Sequence, residues 1–132
     1  MKAKRKIFSA IDCHGQALNA GTVVVMTEAG NDRTAGLQFG IIANGTKTGA
    51  QIFSISAIQN AKDMVEERRH KQNGQVDDWY LKNVERYKNK PSHRPSHAFV
   101  KYQLPIGTPI KQETFNECTE AVIAYLYEKE EK

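Results

Sequence analysis

The sequence predicts an α+β fold: a small SH3-like barrel or curled antiparallel sheet with a two-helix insertion and a C-terminal helix. Three observations carry this. Short β-branched runs fill residues 6–56, glycine and asparagine punctuate them, and after Ser56 the apolar period lengthens to that of a helix. The 132 residues suffice for one domain and not for two cores, so 1–132 is read as a single unit.

In the β-rich part, residues 1–56, Lys6–Ile11 alternates weakly and Thr22–Met26 is β-branched; Leu37–Ala43 and Gln51–Ser56 complete the set. Turn signals fall between them at His14-Gly15, Asn19 to Gly21, Gly30 to Asp32, Asn44-Gly45 and Thr48-Gly49. Gly40, inside a strand, predicts a bulge or a bend. The segment from Gly45 to Gly49 has residue types that grip phosphate without the spacing of a P-loop, and reads as a hairpin turn.

A helical hairpin is expected over 57–90. Ser56 to Gln59 fits a capping box, and Ile58, Ala61 and Val65 form a narrow apolar stripe. Asn73-Gly74 supplies a left-handed stop. Asp77 and Asp78 suit the positive end of a second helix, which carries Tyr80, Val84 and Tyr87 on one face and ends in Arg86, Lys88 and Lys90 before Pro91. Pro91 to Pro95 should be extended, and 98–104 alternates as a half-buried strand. Thr114 to Glu117 forms a second capping box. It opens a helix over 114–130 with Phe115, Cys118, Val122, Tyr125 and Leu126 in register.

The composition, 39% hydrophobic and 26% charged, is that of a globular protein, and no run approaches the roughly 20 apolar residues of a membrane span. Met1–Lys6 has the charge of a signal peptide without its apolar region. Two cysteines, Cys13 and Cys118, make no disulfide scaffold, so a cytoplasmic setting is expected. His93 and His97 have the spacing of a zinc pair but flank a proline and have no second pair, so no metal or cofactor is expected.

The charge is distributed unevenly. Residues 1–10 carry +4, residues 11–67 carry −3, residues 68–101 carry +6 and the remainder −3. The central excess is interleaved with Trp79, Tyr80, Tyr87, Phe99 and Tyr102, a mixture that suits phosphates and stacked bases. Arg68, Arg69, Trp79, Lys82, Arg86, Lys88, Lys90, His93 and Arg94 are the candidate nucleic-acid-binding residues. Trp79, off the main stripe, is the candidate for an exposed ring. The expected function is therefore a small, non-enzymatic basic binding protein for RNA, single-stranded DNA or a nucleotide. A protein-binding inhibitor or regulator that uses the helical hairpin as its interface is a rival reading.

Gly21–Met26, Phe39–Asn44, Gln51–Ser56 and Pro95–Val100 together resemble the strand order of the MazF/PemK-like toxin barrels over about half the chain, with 57–94 as an insertion. The resemblance implies an endoribonuclease that acts as a homodimer and is neutralised by a protein antitoxin. Where that family has an arginine at the start of its second strand, this chain has Gln38, with Arg33 in the preceding loop; the threonine ending its third strand falls at Ser56. Under the resemblance, Arg33 and Ser56 are the candidate catalytic residues.

Overall fold

The computed structural model describes residues 2–27, 37–71, 74, 76–102 and 110–128. Among the described residues, seven strands and three α-helices follow one another as β1 (Ala10–Ile11), β2 (Ala17–Leu18), β3 (Val23–Thr27), β4 (Leu37–Gly45), β5 (Gly49–Ser54), α1 (Ile55–Lys71), α2 (Asp78–Asn89), β6 (Ser92–Pro95), β7 (Phe99–Lys101) and α3 (Gln112–Leu126). A 3₁₀ turn over Ser96–Ala98 joins β6 to β7.

The sheet is antiparallel throughout, in the order β6-β5-β4-β3-β7, and β1 pairs with β2 in a separate ribbon. Of the two shapes expected, the curled sheet is the one formed: β6 and β7 end the sheet and do not pair with each other. Alternation along β4 and β5 sends side chains to buried clusters on the two faces of the one sheet. Ile42 and Ile52 join Val24, Met26 and Phe99 on the face covered by Ala10 and Leu18. Ile41, Ala43 and Phe53 meet Ile55 and Ile58 of α1 and Cys118, Val122 and Leu126 of α3 on the other. Both faces of β4 are buried, which is why its sequence is a near-continuous apolar run.

The ladder irregularity in β4 falls between Ile42 and Asn44, not at Gly40. Gly40 answers a packing need instead: a Cβ there would run into Ile52 and Met26. The Thr46–Thr48 segment is the β4–β5 hairpin turn, closed by Thr46 N–H to the Gly49 carbonyl at 3.0 Å. Gly74, at φ +89°, stops α1 through its N–H to the Arg69 carbonyl, as the sequence predicts. Asn73 lies outside the described residues.

Two caps differ from expectation. Ser54, not Ser56, caps α1, its hydroxyl accepting the Ala57 N–H at 3.0 Å. The Ser56 hydroxyl instead accepts the Phe39 N–H at 2.8 Å, tying the helix start to β4. α3 begins at Gln112, two residues before the expected box, and Thr114 is fully buried inside its first turn. The Thr114 hydroxyl donates to Gln59 Oε1 at 2.7 Å, and the same oxygen accepts the Lys111 N–H at 3.0 Å. Gln59 of α1 therefore caps α3, and Glu117 is free for other partners.

The expected extended stretch after Pro91 is a true strand, β6, in register with β5 from Gly49↔Pro95 to Ile52↔Ser92. The strand expected over 98–104 is paired only at Phe99–Lys101; residues 103 and 104 lie outside the described residues. Among the described residues no helix is long and apolar enough to cross a membrane.

Candidate functional site

Helix α2 holds the aromatic part of the central basic segment, and none of its residues is buried. Trp79 is 61% exposed, and Leu81 and Tyr87 are exposed as well. Residues one turn apart share a helix face. Trp79, Asn83 and Tyr87 form such a row on α2, and Ser56, Asn60 and Met64 form another on α1. The two rows enclose an open groove of about 510 Å³, to which Gln38, Ala57, Ala61 and Tyr80 also contribute.

Among the described residues the groove walls carry no charged side chain, and two arginines stand beside its rings. The Trp79 and Tyr80 rings meet edge to face, with centroids 4.9 Å apart. The Arg68 guanidinium sits 5.1 Å from the Tyr80 ring centre, and that of Arg86 sits 5.1 Å from the Tyr87 ring centre. Cation–π contact holds these guanidinium groups beside the groove without neutralising them.

The other candidates are spread further. Arg69 pairs with Glu66 and Lys82 with Asp78 along their own helices, at 2.8 and 2.9 Å. Lys88 turns toward α3, where Glu117 receives it at 3.2 Å and Lys62 of α1 at 2.6 Å. Burial alone would push the Glu117 carboxyl up, but hydrogen bonds and charge from Lys62 and Lys88 outweigh it and hold Glu117 below the ordinary carboxylate range. Burial likewise opposes the charge on Lys88, and Glu117 with Glu85 overcomes it, leaving Lys88 above the usual lysine value. This three-helix clasp makes Lys88 a structural cation. Lys90 is exposed just past the end of α2.

His93 and Arg94 lie on β6, at the sheet edge. His93 Nε2 lies 3.1 and 3.2 Å from the Thr46 and Thr48 hydroxyls of the hairpin turn. Arg94 Nε is buried without a hydrogen-bond partner among the described residues. The structure thus brings Ser56 and Trp79 into one groove with Arg68 and Arg86 at its rim, and sends Lys88, His93 and Arg94 elsewhere. Arg33 lies outside the described residues. Among those residues no group of three or more His, Cys, Asp or Glu side chains could hold a metal ion. Cys13 is exposed and Cys118 buried, both as free thiols; burial pushes the Cys118 thiol up to about 12.

Sequence reasoning passed over Asn60 and Asn83. Their signal was spacing: each lies four residues from a groove neighbour on its own helix, Ser56 and Met64 for Asn60, Trp79 and Tyr87 for Asn83. No protein-family model, curated protein or solved structure matches the chain.

Proposed function

We propose that this protein binds single-stranded nucleic acid or a nucleotide in the α1–α2 groove. One observation carries the reading. Three aromatic residues line an open groove that has no charged wall among the described residues, while Arg68 and Arg86 rest against the Tyr80 and Tyr87 rings. Exposed rings stack on bases irrespective of sequence, and guanidinium groups at the rim meet the phosphates that follow. The overall charge of +4 agrees with a small basic binding protein.

The test is affinity for short single-stranded RNA and DNA as a function of salt. Each phosphate contact contributes a slope of about −0.7 to the plot of log affinity against log salt. Arg68→Ala with Arg86→Ala should weaken binding and flatten that slope; Lys90→Ala should act in the same direction, and Lys88→Ala should act on stability instead. Protein that shifts no nucleic acid at low salt would overturn the proposal and leave a protein partner in its place. Ser56 lines the same groove, so RNA length is read in the same tubes. Cleavage that Ser56→Ala or Arg33→Ala abolishes would replace binding with the toxin-like reaction.

A further inference from the structure

We infer that the N-terminal segment, residues 2–11, is a docking surface for an anionic lipid bilayer, separate from the α1–α2 groove. Among the described residues, exposed bulky apolar side chains collect in two places. Met64, Trp79 and Tyr87 belong to the groove. Ile7, Phe8 and Ile11, which are 44%, 49% and 43% exposed, belong to this segment. Single exposed apolar side chains are ordinary, whereas a group of them marks a surface that meets something.

The backbone fixes the group in place. The Phe8 N–H donates to Asn44 Oδ1 at 2.9 Å, and the Phe8 carbonyl accepts the Gly45 N–H at 3.0 Å. Asn44 Nδ2 donates to the Lys6 carbonyl at 3.0 Å. Gly45 permits this approach, because a Cβ there would run into the Ser9 and Phe8 carbonyls. With the main chain pinned against the end of β4, Ile7 and Phe8 are held in solvent.

Positive charge surrounds them. Residues 1–10 carry +4 and no acid. Lys6 Nζ lies 5.4 Å from the Phe8 ring centre, and Lys47 sits in the hairpin turn just past Gly45. Lys4 and Arg5 donate to the Ala124 and Tyr125 carbonyls, which orients them and leaves their charge uncompensated. None of Lys2, Lys4, Arg5, Lys6 and Lys47 pairs with a carboxylate among the described residues. Glu128 stands at the edge, its N–H on the Lys2 carbonyl.

A polyphosphate would use the cations but not Ile7 and Ile11, whose branched side chains offer no flat face to a base. An anionic bilayer uses both: its headgroups attract lysine and arginine, and isoleucine and phenylalanine enter the acyl boundary. Each part alone holds a protein only marginally, and a basic patch is the second signal that an apolar anchor needs. Gln38 at the groove and Gly45 at this segment lie toward opposite ends of β4, roughly 20 Å apart at the rise of a strand. The two surfaces are therefore open to independent occupation.

The test is co-sedimentation of the full chain with vesicles of phosphatidylcholine alone, and of about three parts phosphatidylcholine to one of phosphatidylserine. The mixed vesicles should bind at least about 10-fold more tightly than the neutral ones, and added salt should weaken that binding. Ile7→Ser with Phe8→Ser should cut affinity for mixed vesicles about 10-fold, and Lys6→Gln with Lys47→Gln should do so by removing charge. All four positions are exposed, so the melting midpoint should barely move. Phe8→Trp in a Trp79→Phe background keeps the apolar surface and reports insertion directly, since Trp79 is the sole tryptophan of the chain. Its emission should shift to the blue on mixed vesicles and stay unchanged on neutral ones. No binding to mixed vesicles, binding that either pair of substitutions leaves intact, or sedimentation without the blue shift would overturn the inference. If the serine pair melts like the wild type but loses oligonucleotide affinity as fully as vesicle affinity, the segment belongs to a nucleic-acid surface, which would also overturn it.

Discussion

Helices α2 and α3 both lean on α1, and both were amphipathic in sequence, yet they end in opposite states. α3 buries Thr114, Cys118, Val122 and Leu126 against the sheet, whereas α2 buries nothing fully. The difference lies in what each helix packs on. α3 covers Ile41, Ala43 and Phe53, an apolar sheet face that absorbs a whole stripe. α2 rests chiefly on the narrow stripe of α1, which hides only its inner edge. Aromatic surface that a core would have consumed is thereby left facing solvent, where a ligand can use it. One helix holds the fold together; the other is presented by it.

The largest effect should come from truncating the buried helix. Leu126→Ala, at a side chain 2% exposed, should cost about 2–5 kcal/mol in chemical denaturation. A loss below 1 kcal/mol, which is about the level of surface sites, would mean α3 is not the anchor. Gln59→Leu removes the acceptor shared by Thr114 and Lys111, leaving the buried Thr114 O–H and the Lys111 N–H without it, at about 1–3 kcal/mol. On α2 the sign of the experiment reverses. Trp79→Ala should leave stability within about 0.5 kcal/mol and weaken nucleic-acid binding by about 1–3 kcal/mol. A large drop in melting temperature instead would make Trp79 a packing residue and erase the contrast.

The clasp between the helices has a pH signature. The folded-state value of Glu117 is lowered, so its contribution is present above the unfolded carboxylate value of about 4.3 and lost as pH falls through the folded one. Glu117→Gln should therefore flatten the acid limb of the stability curve by up to about 1 kcal/mol, the scale of a partly exposed pair. The folded-state value of Lys88 is raised, so its share persists below the unfolded lysine value of about 10.4 and fades as pH rises through the folded one. The smallest effect belongs to Leu81→Ala on the exposed side of α2, which should change stability by less than about 0.5 kcal/mol.

The same contrast explains what could be read from sequence. Cys118, Val122 and Leu126 repeat at helical spacing without a polar interruption, so α3 was legible, and Trp79 stood off its stripe and is exposed. The caps were not legible, because they are decided by distant partners. Ser54 and Ser56 are equivalent candidates until the Phe39 N–H claims one of them, and Thr114 is drawn inward by Gln59 of another helix. β6 carries no β-branched residue; its pairing comes from the open edge of β5. The groove needed the hairpin to close before Asn60 and Asn83 could be seen as a pair.

The N-terminal tip crosses the end of α3. Ala3 forms an antiparallel bridge with Tyr127, the Lys4 N–H donates to the Leu126 carbonyl, and Arg5 donates to the Tyr125 carbonyl while stacking on its ring at 4.1 Å. Contacts this far apart in sequence carry a high loop-closure entropy, and they cannot form during synthesis until α3 has left the ribosome. The strap should therefore close late, after the transition state for folding. Weakening it would accelerate unfolding and leave the folding rate nearly unchanged. The longevity of the native state would thus depend on a few residues that do little to help the protein reach it.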